Sequence, residues 1–152
     1  MADRFFDTSA AAKHYRVEVG TPKVDAFLTE AGARHFLSDL SDVELHSVLA
    51  RQVRVGQITA ADFHLVRGRF LADISGSLWQ IVPITTFDFH RAQQLLVRHA
   101  LAHSLRTLDA IQLAAALNLN AVSPLAAFVC ADVNLCRIAA AEALAVVNPE
   151  IP

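Results

Sequence analysis

Short apolar segments alternate with longer helical segments along the whole chain, and this alternation is the feature that most restricts the possible folds. The predicted strands lie at residues 4–6, 35–39, 79–84, 126–131 and 144–148. The predicted helices lie at residues 9–15, 22–31, 41–55, 60–74, 87–99, 107–118 and 133–142. Strands separated by helices are typical of an α/β domain with a mostly parallel sheet. The length of 152 residues suits one such domain, which we predict to span residues 1–152.

Composition excludes several classes of protein. The formal net charge of -2 does not indicate a chain that binds nucleic acid through its overall field, so any basic surface must be local. No apolar run approaches the roughly 20 residues that span a bilayer, and the first residues lack the apolar core of a signal peptide. We therefore expect a cytoplasmic protein without membrane association. Cys130 and Cys136 have neither disulfide nor zinc spacing and are interpreted as reduced core residues.

Four carboxylates occupy comparable places relative to the predicted elements. Asp7 follows the first strand, Asp132 follows "AAFVCA", and Glu44 and Asp109 each lie in the first turn of a helix. Ligands of open parallel sheets bind at the carboxyl edge, where strands lead into helices. We expect at least three of these acids to line that edge.

Each acid also has a purely structural interpretation. "SDVE" at Ser41 to Glu44 has the pattern of a capping box. Asp109 and Asp132 could complement helix dipoles, and Asp7 could cap the helix that follows it. Capping, however, does not require acids to share one edge of a sheet. Gathered carboxylates repel one another unless a cation lies among them, and an all-oxygen set suits Mg²⁺ or Mn²⁺. Such an ion favours phosphodiester hydrolysis.

Four segments carry a resemblance that covers essentially the whole chain. They are "FFDTSAAAKHY", "LSDLSDVELHSVLAR", "LRTLDAIQLAAAL" and "FVCADVNLCRIAAAEALAVVNP". In this order they resemble the PIN-domain ribonucleases, particularly the VapC-type toxins of toxin–antitoxin pairs. The resemblance implies a three-layer α/β/α sandwich, usually dimeric, that hydrolyses RNA with Mg²⁺ or Mn²⁺. It also implies a VapB-type antitoxin as the protein partner.

The resemblance also implies roles for individual residues. The four family acids fall on Asp7, Glu44, Asp109 and Asp132. Asp7 and Asp109 would contact the metal directly, whereas Glu44 and Asp132 would bind metal-bound water or activate the attacking hydroxide. Ser9 would support Asp7 or a bound water.

Other polar residues have weaker assignments. Asn134 stands where some family members have a further acid, so it adds a hydrogen-bonding group without charge and argues against a full second metal ion. Arg51 lies on the predicted face of Glu44, and Arg106 precedes the Asp109 helix, so both are candidates to contact RNA phosphates. The role of Gln112 stays open.

Two other functions remain possible at this point. One is a non-catalytic PIN-like module that binds RNA or protein. The other is a small-molecule phosphatase with Asp7 as nucleophile, although "DTS" lacks the second aspartate of "DxD" sites. On the predicted helix at 60–74, an apolar stripe is interpreted as core or as a face for dimerisation or antitoxin binding; its residues are Phe63, Val66, Phe70 and Ile74.

Overall fold

The computed structural model describes residues 2–152, in which every predicted strand and helix is present. The strands are β1 (Asp3–Phe6), β2 (Arg34–Ser38), β3 (Gln80–Val82), β4 (Ala127–Val129) and β5 (Val146–Val147). The helices are α1 (Thr8–Ala11), α2 (Thr21–Leu28), α3 (Asp39–Arg54), α4 (Ala60–Ser75), α5 (Thr86–His99), α6 (Thr107–Val122) and α7 (Val133–Ala141). A short 3₁₀ helix, Ala12–His14, continues α1.

The five strands form one sheet in the order β3-β2-β1-β4-β5, and every strand pair is parallel. Phe5 of β1 lies opposite Phe36 of β2 and Phe128 of β4. The central strand β1 therefore directs its carboxyl end between those of β2 and β4. The chain crosses to β2 on one side of β1 and to β4 on the other, which is the arrangement that opens a ligand crevice at the strand ends.

Helices cover both faces of the sheet and form a separate apolar core on each. Consecutive residues of a strand point to opposite faces, so Phe5 packs under α5, α6 and α7, whereas Phe6 packs under α1 to α4. Both side chains are fully buried. The prediction of a three-layer α/β/α sandwich with a parallel sheet is confirmed.

Helix α3 begins two residues earlier than the sequence indicated. Ser38 at the end of β2 is its N-cap and accepts a hydrogen bond from the backbone N–H of Ser41 at 3.3 Å. The predicted capping box from Ser41 to Glu44 is therefore wrong, because Ser41 is a buried residue inside the helix. Because Glu44 is not part of the cap, its carboxylate is available for contacts outside its own helix.

The apolar stripe on α4 belongs to the core. Phe70 is 1% exposed, and Phe63, Val66 and Ile74 are half-buried and pack against the same core as Phe6. The interpretation of this stripe as a free partner face is thus not supported by the packing. Leu65, on the outer side of the helix, is exposed instead.

Helix α6 is buried over most of its circumference between the sheet and its neighbours. Residues Ala110 to Leu117 are all buried, since alanines at four of these eight positions let α5 approach closely. Asp109 stands in the first turn, where the helix emerges at the carboxyl edge of the sheet. Despite the apolar character of α6, no helix within residues 2–152 meets both the length and the hydropathy that a membrane span requires.

Candidate active site

All four candidate acids line one cavity of about 420 Å³. Asp7 follows β1, Glu44 extends from α3, Asp109 from α6, and Asp132 follows β4. The cavity wall also contains Thr8, Ser9, Arg106 and Gln112. Four elements that are distant in sequence thus bring oxygen ligands to one edge of the sheet.

Asp7 is the most buried of the four acids, with 6% of its surface exposed. Its Oδ1 accepts a hydrogen bond from the backbone N–H of Ala10 at 3.0 Å, so Asp7 is also the N-cap of α1. The Ser9 hydroxyl donates to the carboxylate at 2.7 Å, and the Cys130 thiol donates to Oδ2 at 3.4 Å. Burial nevertheless raises the pKa of Asp7 to about 6, because these donors only partly replace lost hydration and the Asp109 charge opposes ionisation.

Glu44 is held by a buried polar network centred on Gln112, which is 2% exposed. The Gln112 amide nitrogen donates to Glu44 Oε1 at 2.9 Å and to the Ser41 hydroxyl at 2.8 Å. Its carbonyl oxygen accepts from the Ser38 hydroxyl at 2.7 Å. Thr8 donates to the same Glu44 oxygen at 3.3 Å. The network fixes one oxygen of Glu44, while Oε2 accepts no hydrogen bond from residues 2–152.

Arg106 lies between the two remaining acids. Its Nε donates to Asp109 Oδ2 at 2.9 Å, and its Nη2 lies 3.8 Å from Asp132 Oδ2. The hydrogen bond to Asp109 raises the pKa of Arg106, which is already a permanent cation. Because the Arg106 side chain is 72% exposed, the guanidinium can leave the acids at little cost in buried contacts.

The side chains of Asp132 and Asn134, both at the start of α7, make different contacts. Asp132 is the N-cap of this helix and accepts from the Leu135 N–H at 2.8 Å, yet its side chain also lines the cavity. The Asn134 amide instead donates to the Ser104 carbonyl at 2.8 Å and is not among the residues that line the cavity. Asn134 therefore supports the loop before α6 and gives no supporting group to the acids, contrary to its predicted position in the site.

The two candidate RNA-binding arginines also differ. Arg106 lies at the acids, whereas Arg51 lines a neighbouring concavity two helical turns further along α3. The predicted shared face with Glu44 therefore continues past the acid cavity. Ser9 occupies a supporting position, because its hydroxyl contacts Asp7 and accepts a hydrogen bond from the Ala131 N–H at 3.1 Å.

Sequence reasoning missed the contribution of three residues. It assigns no role to Gln112, although an amide within the apolar α6, one turn after Asp109, is a usable signal. It favours Ser9 over Thr8, but the Thr8 hydroxyl contacts Glu44. It interprets Cys130 as an ordinary core residue, and no local pattern reveals that the thiol contacts Asp7.

The carboxylates of the cavity suit a hard cation that keeps several bound waters better than a cation that is coordinated by the protein alone. Across residues 2–152, no three His, Cys, Asp or Glu side chains are grouped so that they could hold a metal ion together. Mg²⁺ keeps several waters and is often bound through only one or two carboxylates. Asp7 and Asp109 line the same cavity, and the Asp109 charge adds to the burial that raises the pKa of Asp7, so a cation bound beside both carboxylates would relieve their repulsion. On this observation the residues fit such an ion.

Fold and cavity together define the class: a three-layer α/β/α domain whose ligand cavity, lined with acids, opens at the carboxyl edge of a parallel sheet. The chain belongs to the PIN-domain family, since the family model described as "PIN domain" matches residues 4–147. The resemblance seen in the sequence is confirmed at this level. A comparison with curated protein sequences finds no significant match.

Several solved structures share the fold at low sequence identity. The FitAcB crystal structure from Neisseria gonorrhoeae has a TM-score of 0.70 and 16% identity, over 98% of this chain and 99% of that chain. VapBC2 from Rickettsia felis, bound to a DNA fragment from its promoter, has a TM-score of 0.64 and 13% identity, over 96% and 98%. A toxin–antitoxin complex from Klebsiella pneumoniae has a TM-score of 0.60 and 17% identity, over 96% and 97%.

Proposed function

We propose that the protein is a metal-dependent endoribonuclease and the toxin of a type II toxin–antitoxin pair. The observation that carries this proposal is the convergence of Asp7, Glu44, Asp109 and Asp132 on one cavity at the carboxyl edge of the sheet. Membership of the PIN-domain family supports it, because PIN domains are generally nucleases and usually use divalent metals. Helix capping alone does not require four acids to line one cavity, so their grouping favours a shared ligand.

Asp7 and Asp109 would hold the metal, either Mg²⁺ or Mn²⁺. When bound, such an ion withdraws charge from a phosphate and makes a bound water more acidic. Ser9 and the Ala10 N–H orient the Asp7 carboxylate for this purpose. Arg106 neutralises Asp109 through its ion pair until a metal ion replaces it there. The fully buried Cys130 thiol donates a further hydrogen bond to Asp7 Oδ2.

Glu44 is the best placed group to accept a proton from the attacking water. Gln112 and Thr8 hold its Oε1, so Oε2 has a defined direction and no competing donor within the described residues. Asp132 would hold further water on the opposite wall. Arg106 would turn from the acids to an oxygen of the scissile phosphate, for which a guanidinium is well suited. Attack by water does not use the ribose 2′-hydroxyl, so the products should carry a 5′-phosphate and a 3′-hydroxyl.

Cleavage of single-stranded RNA tests the proposed activity. We expect cleavage with Mg²⁺ or Mn²⁺, loss of cleavage with EDTA, and recovery when the metal is restored. Asp7→Asn should abolish cleavage in a protein that remains folded. End-labelling should detect 5′-phosphates on the products. Activity that persists in both EDTA and Asp7→Asn would contradict a metal mechanism.

An antitoxin of the VapB type is the proposed protein partner. The structural neighbours from Rickettsia felis and Klebsiella pneumoniae are described as VapBC2 and as a toxin–antitoxin complex, which supports the same assembly here. A small DNA-binding protein encoded in the adjacent reading frame, and its co-purification with this chain, would test the assignment. The predicted homodimer can be tested by light scattering on the isolated protein. The cytoplasmic location stays a prediction.

A non-catalytic module that binds RNA or protein is the alternative. The observation in its favour is that no group of three potential ligands is assembled among residues 2–152. RNA binding without cleavage in any divalent metal would select it. A phosphatase that uses Asp7 as nucleophile is less well supported, since Ser9 stands two residues after Asp7, where "DxD" sites have their second aspartate.

A further inference from the structure

A second concavity adjoins the acid cavity along α3. It has a volume of about 210 Å³ and is lined by Arg16, Val48, Arg51, Gln52, Val55 and Gln57. Three of these residues, Arg16, Val48 and Gln52, also line the acid cavity. The two concavities are therefore parts of one groove, which runs from the four acids toward the C-terminal end of α3.

The chemistry of the groove changes along its length. The far end contains two guanidinium groups, two amides and two valines, and no carboxylate lines it. Neither Arg16 nor Arg51 forms an ion pair with any carboxylate of residues 2–152. Arg16 donates instead to the side-chain oxygen of Gln57 at 3.3 Å. Two cations without counter-ions in one concavity favour an anionic ligand.

The spacing along α3 matches a ligand that also reaches the acids. Arg51 follows Glu44 by seven residues, which is two turns and about 10 Å along a helix axis. Val48 lies between them and gives the groove an apolar floor. A ligand in this groove would thus meet acids, an apolar surface and then arginines in succession.

We infer that this arginine end is a subsite for a backbone phosphate that flanks the scissile phosphate of a single-stranded RNA. The inference rests on the proposed function and adds the path of the strand. Arg16 and Arg51 bind the flanking phosphate, the two glutamines offer hydrogen bonds to the sugar, and Val48 contacts an unstacked base. Proteins bind single strands through positive groups that follow the backbone and through side chains, most often aromatic, that contact the bases.

A purely structural role for Arg51 makes a different prediction. Arg51 and Arg54 both lie in the last turn of α3, where cations complement the helix dipole. Arg54 has the same charge and the same helix end but does not line the groove. Arg54→Gln is therefore a matched control for Arg51→Gln.

Binding of an RNA oligonucleotide that fills the whole groove tests the subsite. The measurements use the Asp7→Asn protein with Mg²⁺, so that the strand stays intact. We expect Arg51→Gln to weaken binding severalfold and the matched Arg54→Gln to leave it nearly unchanged, while Arg16→Gln combined with Arg51→Gln should weaken it roughly tenfold. The salt dependence of binding should become shallower by about 0.7 in log–log slope for each phosphate that the variant no longer neutralises.

A neutral methylphosphonate, moved along the strand one linkage at a time, identifies the phosphate position directly. Neutralising one linkage beside the scissile position should weaken binding to the parent protein, and the same change should have no further effect on the double arginine variant.

Equal effects of the Arg51 and Arg54 variants, or unchanged RNA binding, would overturn the subsite. Loss of antitoxin binding alone would overturn it in favour of a protein ligand. If unmodified protein cleaves RNA while the arginine variants bind normally, only the subsite fails; if it neither binds nor cleaves RNA, the proposed function fails as well.

Discussion

Replacing Asp7 with asparagine should stabilise the metal-free protein while it abolishes cleavage. The buried carboxylate has its pKa raised to about 6, mainly through loss of hydration. Asparagine keeps the shape of the side chain and an oxygen that can accept the Ala10 N–H, so the cap of α1 is retained. Only the cost of an ionised group in a buried place is removed.

The magnitude follows from the pKa of Asp7. Its ordinary value is 3.8 and its folded value is about 6, a difference of about 2 units. At 1.36 kcal/mol per unit this is about 3 kcal/mol. The folded state binds more protons than the unfolded state between these two values, so the stability of the unmodified protein falls as pH rises from about 4 to about 6. At pH 7.5 Asp7 is ionised and its burial lowers the free energy of unfolding by the full amount. At this pH we expect Asp7→Asn to raise the free energy of unfolding by about 1 to 3 kcal/mol.

Urea unfolding in EDTA measures this effect. The difference between Asp7→Asn and the unmodified protein should be small near pH 4 and should grow to its full value above pH 6. Asp132→Asn is the matched control, because Asp132 also caps a helix in the same cavity but its side chain is 38% exposed. That variant should change the free energy of unfolding by less than about 0.5 kcal/mol.

A destabilised Asp7→Asn protein would contradict this account of the Asp7 carboxylate. If Asp7 serves only to cap α1 and to complement its dipole, Asp7→Asn should leave stability unchanged or lower it at every pH. A variant that is more stable but still cleaves RNA would support the cost of burying the Asp7 charge and would contradict the role of Asp7 as a metal ligand.

Three further substitutions test other contacts of the site. Gln112→Leu should lower stability by about 1 to 3 kcal/mol in urea unfolding, because it leaves buried hydroxyls unpaired, and should reduce cleavage about 10- to 100-fold by releasing Glu44; normal cleavage would contradict the positioning role. Arg106→Gln should increase Mn²⁺ affinity severalfold in calorimetric titration, since the cation that neutralises Asp109 is removed; unchanged affinity would contradict this competition. Phe70→Ala should cost about 3 to 5 kcal/mol in thermal unfolding, whereas a stable variant with weakened antitoxin binding would restore the partner-face interpretation.

The order of elements and the positions of the acids could be predicted from local signals. Apolar runs of strand length, helical periodicity and turn residues depend on neighbours a few positions apart, so they can be read without the fold. The parallel sheet followed from the alternation of these elements, and the expectation of acids at one edge followed from where Asp7 and Asp132 end their strands. The start of α3 was predicted two residues too late, because "SDVE" has the pattern of a capping box at Ser41 whereas Ser38 is the N-cap in the structure.

Which of these residues are in contact depends on the packing of segments that are distant in sequence. Gln112 and Glu44 are 68 positions apart, and Arg16 and Gln57 are 41 apart, so no local pattern relates them. The buried surroundings of Asp7, which raise its pKa, likewise include distant residues, since its N–H donates to the Val129 carbonyl and the Cys130 thiol donates to its Oδ2. Side-chain direction at a sheet edge depends on how separate elements pack, and this packing is a property of the whole chain. Local signals were therefore enough to predict the elements and the acidic residues that follow them. The contacts, the charges that oppose one another and the course of the groove depend on how distant segments pack.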